Sequence, residues 1–316
     1  MADIIKMATR DAYGKALVEL GKKYNDFLVL DADLAAATKT GMFKKEFPER
    51  FYDCGIAEQN MISIAAGIAA TGKKVFASSF AMFAAGRAFE QVRNSVAYPN
   101  LNVKICATHA GISVGEDGAT HQCCEDLALM RTIPNMTVIN PADATEARKA
   151  LIAAYNLNGP VYIRFGRLAV PIIFDDDYDF SIGKGAQLKD GSDVTVIATG
   201  LLVNEALKAH EMLKAEGINA RIINMATIKP IDREIIIKAA KETGAIVTAE
   251  EHSVIGGLGD AVSSVVTEEY PVPVLKVGVE DTFGMSGPAQ ELLDKFNLNA
   301  NGIVKKTRAV LKLKQR

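Results

Sequence analysis

Several features that would assign a protein to a class are missing from this sequence. Its 316 residues contain no tryptophan, and no apolar run reaches the ~18 residues that a membrane-spanning helix needs. The first twenty residues include Asp3 and frequent polar side chains, so they lack the apolar stretch of a signal peptide. Basic and acidic side chains nearly balance, at 36 against 38, so no concentrated basic face is expected to bind nucleic acid or an anionic membrane. Small metabolites are the expected ligands.

Cysteine is scarce and shows no metal-binding spacing. The four cysteines are Cys54, Cys106, Cys123 and Cys124. Adjacent cysteines rarely bridge to each other, so the sequence predicts free thiols, as in a reducing compartment. Together with the missing signal peptide, this predicts a cytoplasmic protein. The loops contain neither the GxGxxG dinucleotide motif nor a P-loop, so both of those phosphate-binding fingerprints are excluded.

What is present is an alternation of short β-rich runs with segments of helical period, typical of α/β folds with mostly parallel sheets. In the first half the expected strands are 27–31, 74–79, 103–108, 136–140 and 161–165. In the second half they are 194–200, 220–225, 245–250 and 274–279. An acidic, turn-rich segment between them places the boundary near residues 172–190. The sequence thus predicts two doubly wound α/β domains, at 1–175 and 190–316.

The segment GEDGATHQ, residues 115–122, concentrates polar chemistry in one turn. It follows the predicted strand 103–108, so His109, Asp117 and His121 belong to that strand's exit loop. Ligands of such sheets bind in the loops at the carboxyl ends of strands, which makes this loop a candidate site. A solvated acidic turn remains the alternative, because glycine and aspartate are ordinary turn residues.

Two further features admit both a structural and a functional interpretation. Glu58 begins a helix that is otherwise rich in Ile, Met, Ala and Gly. It either complements the helix dipole or is a desolvated carboxyl that can exchange a proton. Phe80, Phe83 and Phe89 are either core residues or a stacking surface for a ligand ring.

Five motifs, in order, resemble the C-terminal half of transketolase over essentially the whole chain. The motifs are GIAEQNM, SSFAMFAAGRAFEQ, THAGISVGEDGATHQ, MRTIPNM and EEHSVIGGLG. GEDGATHQ is the most specific of them. The resemblance implies a domain that holds the aminopyrimidine of thiamine diphosphate, followed by the transketolase C-terminal domain.

The resemblance also implies roles for individual residues. Glu58 matches the family glutamate that protonates or hydrogen-bonds N1′ of the aminopyrimidine, and Phe80 with Phe83 would surround that ring. Asp33 falls at the position of a cofactor-proximal acid. The cofactor would serve as electron sink for a two-carbon unit cleaved from a ketose.

Four residues match family positions that contact the substrate. His109 and His121 would exchange protons with sugar hydroxyls and the carbonyl oxygen, and Asp117 would contact a donor hydroxyl. Arg167, in GPVYIRFGRL, would hold the sugar phosphate. The implied reaction transfers a ketol unit from a ketose phosphate, such as xylulose 5-phosphate, to an aldose phosphate, such as ribose 5-phosphate, as in the pentose phosphate pathway.

The sequence also departs from the long single-chain transketolases. Ala37 stands where those enzymes carry a phosphate-binding serine, Gly86 replaces an aromatic residue and Ala119 replaces a proline. Residues 110–111, Ala-Gly, replace an Asp-Ser pair. These changes affect the expected shape of the pocket and the expected affinity for the donor.

The motif that holds Mg²⁺ and the diphosphate, a GDG followed about thirty residues later by Asn, does not occur in the sequence. The chain starts with Met just before the pyrimidine domain. We therefore expect a split enzyme, in which an N-terminal subunit supplies the Mg²⁺ ligands. We expect an α2β2 assembly in which this chain also pairs with itself.

Three alternatives stay open. A 1-deoxyxylulose-5-phosphate synthase carries a related GxDGxTH loop, but in a continuous chain. The beta subunit of a 2-oxo-acid dehydrogenase is a separate chain of similar length, but it lacks the GEDGATH loop. A catalytically silent regulatory or scaffold subunit could keep the fold without the chemistry.

Overall fold

The structure of the protein is a computed structural model that describes residues 5–314. Within this range the strands form a seven-stranded sheet, a five-stranded sheet and a two-stranded pair. The strands are β1 (Lys6–Ala8), β2 (Phe27–Asp31), β3 (Phe51–Asp53), β4 (Lys74–Phe80), β5 (Val103–Thr108), β6 (Thr137–Ile139), β7 (Val161–Arg164), β8 (Ala169–Pro171), β9 (Ala186–Lys189), β10 (Val194–Ala198), β11 (Ala220–Asn224), β12 (Thr227–Lys229), β13 (Ile246–Ser253) and β14 (Val274–Val279).

The helices lie between the strands and cover both sheets. They are α1 (Thr9–Lys23), α2 (Ala35–Thr38), α3 (Gly41–Glu46), α4 (Glu58–Ala70), α5 (Phe89–Gln91), α6 (Asp126–Thr132), α7 (Ala144–Asn156), α8 (Leu202–Ala215), α9 (Arg233–Thr243), α10 (Leu258–Glu269), α11 (Ala289–Lys295) and α12 (Ala300–Lys314). Two π-helical segments, Met82–Arg87 and Val92–Ala97, flank α5. Two 3₁₀ segments cover Pro48–Arg50 and Ile112–Asp117.

The seven-stranded sheet has the order β12-β6-β7-β5-β4-β2-β3. All its neighbouring strands run parallel except β12, which is antiparallel to β6. Parallel neighbours need crossover connections, and helices supply most of these. The five expected strands of the first half are all present, to within two residues at each end.

Alternate residues of the central strands face two different helical layers. Phe76 packs in a cluster with residues of α1 and α7, while its neighbours Val75 and Ala77 pack with residues of α4. Side chains of a strand point to opposite faces in turn, so both faces of this sheet are buried. This double burial explains why the central strands are largely apolar in the sequence.

The five-stranded sheet has the order β14-β13-β10-β11-β9, and only the edge strand β9 is antiparallel. The four expected strands of the second half are present. Two short strands, β8 and β9, lie in the acidic, turn-rich segment between the two sets of expected strands, where no strand was predicted. The prediction of two mostly parallel α/β sheets is confirmed.

One strand crosses between the two halves. β12 follows β11 in the chain, but it pairs with β6 at the edge of the seven-stranded sheet. This strand, Thr-Ile-Lys, has only three residues, which is too few for a recognisable β pattern in the sequence.

All four cysteines carry free thiols, as expected. None of the helices described between residues 5 and 314 has the length and apolar character needed to span a bilayer.

Candidate active site

The candidate residues cluster at the carboxyl edge of the seven-stranded sheet. Asp33 follows β2, Phe80 ends β4, His109 follows β5 and Arg167 follows β7. β2, β4, β5 and β7 are consecutive neighbours in the sheet, so their ends meet along one edge. This is the edge at which α/β sheets bind ligands.

Glu58 is the first residue of α4, and its carboxylate is 1% exposed. Oε1 accepts a hydrogen bond from the Ser79 hydroxyl at 3.2 Å, and Oε2 accepts one from Nη1 of Arg87 at 2.7 Å. The bond to Ser79 fixes the carboxylate next to Phe80 at the end of β4. Glu58 is therefore a buried, positioned carboxylate, and complementing the helix dipole does not by itself account for these contacts.

Four rings gather beside this carboxylate. The ring of Phe80 stacks on that of His109, with centroids 3.9 Å apart, and on that of Phe83 at 6.1 Å. His121 meets Phe83 edge-on at 5.4 Å. Phe80 is buried, whereas Phe83 and His121 are half-buried, so this cluster presents partly open ring surface rather than a closed core.

His109 has a defined tautomer. Its Nε2 lies 2.9 Å from Nη1 of Arg10, and its Nδ1 lies 2.9 Å from the hydroxyl of Thr108. A guanidinium can only donate, so Nε2 accepts and the ring proton sits on Nδ1, which donates to Thr108. Burial and the nearby charges of Arg10, Arg167 and Lys39 lower the pKa of His109 to about 3. The imidazole is therefore neutral at physiological pH.

Arg167 is bound to the turn that contains GEDG. Its Nη1 donates to the carbonyl of Val114, and it forms an ion pair with Glu116 at 2.9 Å. Asp117 lies on the exposed side of the same turn. The side chain of Asp117 makes no hydrogen bond or ion pair to another candidate residue within the described range of 5–314. Arg167 is thus held by two residues of the turn, Val114 and Glu116, while Asp117 is exposed to solvent.

Asp33 lies in a loop that its neighbour Asp31 organises. Asp31 is buried and accepts hydrogen bonds from the hydroxyls of Thr38 and Thr40 and from the N–H of Leu34. Burial raises the pKa of Asp31 to about 6, because the hydrogen bonds offset only part of the desolvation. Asp33 itself is exposed and has a left-handed φ of 61°. Among residues 5–314, no hydrogen bond or ion pair joins the Asp33 side chain to the ring cluster.

Two arginines at the site were missed by the sequence reasoning. Arg10 lies in the first turn of α1, where a cation opposes the helix dipole; that misplaced charge was the available signal. Arg87 ends a π-helical segment. Such segments are frequent at functional sites, but no sequence pattern announces them.

Glu58 and the phenylalanine rings fit the aminopyrimidine part of the expected cofactor, thiamine diphosphate. A buried carboxylate next to phenylalanine rings offers a hydrogen-bond partner for a ring nitrogen and a surface for an aromatic ring. Residues 5–314 contain no group of three or more His, Cys, Asp or Glu side chains arranged to hold a metal ion.

Comparison with known proteins assigns the family. Residues 5–172 match the transketolase pyrimidine binding domain, and residues 183–303 match the transketolase C-terminal domain. The chain belongs to the transketolase family, and within it corresponds to the section that contains these two domains. The resemblance seen in the five sequence motifs is thereby confirmed.

Three relatives make the assignment more specific. A transketolase C-terminal section of Methanocaldococcus jannaschii is 55% identical over 94% of this chain and 94% of its own length. The 6-deoxy-6-sulfo-D-fructose transketolase subunit SqwH of a Clostridium species is 44% identical over 96% of this chain and 95% of its own. A solved structure described as a split gene transketolase, an inactive β4 tetramer, is 56% identical, with a TM-score of 0.89 over 98% of this chain and 99% of that one.

Proposed function

We propose that this chain is the C-terminal subunit of a split, thiamine diphosphate-dependent transketolase. In this proposal it transfers a two-carbon ketol unit from a ketose phosphate, such as xylulose 5-phosphate, to an aldose phosphate, such as ribose 5-phosphate. The observation that carries the proposal is the Glu58 carboxylate, buried beside the stacked rings of Phe80 and His109.

Each candidate residue has a proposed role in binding or proton transfer. Glu58 would hydrogen-bond a pyrimidine nitrogen and hold or release a proton at its carboxylate oxygens, with Ser79 fixing its position. Phe80 and Phe83 would contact the ring and exclude water from it. Thiamine diphosphate, when bound, supplies the electron sink for the two-carbon unit. The neutral His109, whose Nε2 accepts a hydrogen bond from Arg10, would accept one from a donor hydroxyl in its place, and His121 would exchange protons with the substrate from the far side of the rings.

The anionic end of the substrate would lie near positively charged side chains. Arg10 contacts the His109 ring at 2.9 Å, and the charges of Arg167 and Lys39 also help to lower the pKa of that ring. We propose that these cations select a donor with a terminal anion, and that Asp117 contacts a donor hydroxyl. The name of the SqwH relative adds a sulfonated ketose as a second donor class, because a sulfonate presents the same anionic oxygens to arginine as a phosphate does.

The proposed assembly needs a second kind of chain. An N-terminal subunit would supply the Mg²⁺ ligands and bind the diphosphate, in an α2β2 heterotetramer built on self-pairing of this chain. The similar split transketolase forms a β4 tetramer that is described as inactive, which supports a requirement for another subunit. We further propose a cytoplasmic location and domains at 1–175 and 190–316.

The test compares this chain alone with this chain plus a partner that carries GDG and the following Asn. We expect ketol transfer from xylulose 5-phosphate, and tight Mg²⁺-dependent binding of thiamine diphosphate, only in the mixture. A mixture containing the Glu58→Gln chain serves as control for contaminating activity. Ketol transfer by the purified chain without any partner would contradict the split-enzyme proposal.

The donor that the mixture consumes distinguishes the proposed transketolase from the three alternatives. A 1-deoxyxylulose-5-phosphate synthase would consume pyruvate with glyceraldehyde 3-phosphate, and a 2-oxo-acid dehydrogenase would decarboxylate a 2-oxo acid. A silent subunit would turn over none of these donors in the mixture.

A further inference from the structure

The end of β13 reaches across to the loop that follows β5. The N–H of Ser253 donates to the carbonyl of Cys124 at 2.8 Å, and Nη2 of Arg164 donates to the carbonyl of Glu251 at 2.8 Å. β13 belongs to the five-stranded sheet, whereas Arg164 lies on β7 of the seven-stranded sheet. The backbone of Glu251 is thus fixed against the domain that holds the candidate site.

The side chain of Glu251 continues into that loop. It is 4% exposed, and its Oε1 accepts the backbone N–H of Ser113 at 2.5 Å. Burial raises the pKa of Glu251 to about 7, because the charge of Arg164 offsets only part of the desolvation. Either form of the carboxyl can accept the N–H of Ser113, and a buried N–H left without a partner is costly. Ser113 therefore depends on a carboxylate from the other domain for its backbone hydrogen bond.

Gly111 gives independent evidence of the same approach. Its φ is 79°, and a Cβ at this position would overlap Cδ of Glu251. Only glycine leaves room for the carboxylate here without a shift. The loop backbone and the Glu251 side chain are therefore fitted to each other at two points, Gly111 and Ser113.

The next residue of the loop connects this contact to the substrate side. The carbonyl of Val114 accepts a hydrogen bond from Nη1 of Arg167, so Glu251 and Arg167 bind neighbouring backbone groups. We propose that Glu251 is a positioning residue through which the C-terminal domain sets the 111–118 loop, and with it Arg167, for the substrate anion. This gives the C-terminal domain a part in substrate recognition, and it rests on the proposed function of Arg167.

The first experiment measures the stability of the 111–118 loop by hydrogen exchange and does not depend on enzyme activity. In the full-length chain, we expect Glu251→Ala to speed amide hydrogen exchange of residues 111–118 by about tenfold or more, because the buried N–H of Ser113 loses its acceptor. Glu251→Gln keeps a side-chain carbonyl at the same distance, and we expect it to restore most of the protection.

Glu250 offers a matched control. It is the adjacent residue, is equally buried, and accepts the N–H groups of Leu258 and Gly259 within its own domain. Glu250→Ala should speed exchange at residues 257–261 and leave 111–118 unchanged. If both variants speed exchange in 111–118 equally, Glu251 acts only through overall stability and the proposal is overturned.

The second experiment uses the assembled enzyme. Glu251→Ala should raise KM for a phosphorylated ketose by about ten- to a hundredfold and lower kcat by less than about threefold, since Arg167 is displaced while Glu58 is not. A fall in kcat with unchanged KM would overturn the proposal. If the assembly transfers no ketol unit at all, the proposed function fails, and the exchange result still decides whether Glu251 positions the loop.

Discussion

The guanidinium of Arg87 donates a hydrogen bond to the carboxylate of Glu58 over 2.7 Å, although the Glu58 side chain is 1% exposed and the Arg87 side chain 46%. A buried carboxylate is thus paired with a cation that reaches in from the surface. Any ring nitrogen that binds Glu58 must share this carboxylate with Arg87 or replace it. Both oxygens of the Glu58 carboxylate thus accept hydrogen bonds, from Ser79 and Arg87, before a ligand arrives.

Glu58→Gln tests the role of this carboxylate directly. In the assembled enzyme we expect kcat to fall by about 10²–10⁴, because an amide keeps the shape but cannot transfer the proton. Steady-state kinetics with xylulose 5-phosphate measure the effect. Glu90→Gln is the control, since Glu90 is exposed and bonds only Gln91 and Asn94 within the described chain. Turnover within about threefold of the parent would reduce Glu58 to a structural carboxylate.

Arg167→Ala tests recognition of the substrate anion. We expect KM for phosphorylated ketoses to rise by about ten- to a hundredfold, because each charge-assisted bond is worth roughly 1.5–3 kcal/mol. An unphosphorylated ketose gains nothing from this contact, so its kcat/KM should hardly change. His121→Ala should show the same bias in weaker form.

The ratio of kcat/KM for phosphorylated and unphosphorylated ketose is the decisive quantity for Arg167. Arg308→Ala is a suitable control, because Arg308 pairs with Glu216 at the surface of the other domain. Equal losses for both ketoses would mean that Arg167 supports the loop through Val114 and does not select the anion.

The protonation of His109 gives a prediction that needs no substrate. Its pKa is lowered to about 3, first by burial and next by Arg10, so the ring should stay neutral, with its proton on Nδ1, from pH 8 down to pH 5. Nitrogen NMR of the histidine rings checks this. Arg10→Met should raise the pKa of His109, whereas Arg148→Met, which removes a surface partner of Glu19, should not. An imidazolium signal from His109 at pH 6 in the parent would contradict the assignment.

Glu146 ties together three parts of the chain. It lies on α7, is fully buried, and accepts hydrogen bonds from the N–H of Ala142, the hydroxyl of Tyr178 and the amide of Asn224. Tyr178 belongs to the segment between the domains, and Asn224 ends β11. Burial raises the pKa of Glu146 from 4.5 to about 7.

The raised pKa of Glu146 predicts a pH effect of definite sign. Between about pH 4.5 and 7 the folded chain keeps a proton that the unfolded chain has released. The associated stability is fully present below pH 4.5 and is lost as the pH rises through about 7. Relative to the parent, Glu146→Gln should therefore gain stability from pH 5 to pH 8, by at most about 1.4 kcal/mol per pH unit. Urea unfolding at several pH values measures this, with Glu19→Gln as control. A constant difference between Glu146→Gln and the parent would refute it.

The central strands could be predicted from the sequence, and the crossing strand could not. β2 and β5 have the predicted bounds because buried parallel strands are largely apolar runs between turn residues. β12 contains three residues and exists because the edge of β6 is free to pair with it. That pairing depends on where the second sheet lies, which is a property of the whole fold.

The candidate site was predictable where a motif carries the chemistry. Glu58 and His109 come from motifs, and the structure buries both. The Arg10 contact to His109 joins residues 99 positions apart. The Arg87 contact requires a π-helical segment whose register is set by packing against its neighbours. Neither contact follows from local sequence preferences, because both depend on the tertiary arrangement.

The crossing of β12 has a consequence for how this protein can be divided. A fragment that ends before residue 190 would keep Glu58, the ring cluster and Arg167, yet it would lose Glu251 and leave β6 as an open edge with unpaired N–H and C=O groups. Such an edge is a template for pairing with other chains, so the fragment should aggregate where the full chain does not. A recombinant that carries the first domain should for the same reason need a second half that supplies a strand to pair with β6, so the unit that can be exchanged is larger than the first domain alone.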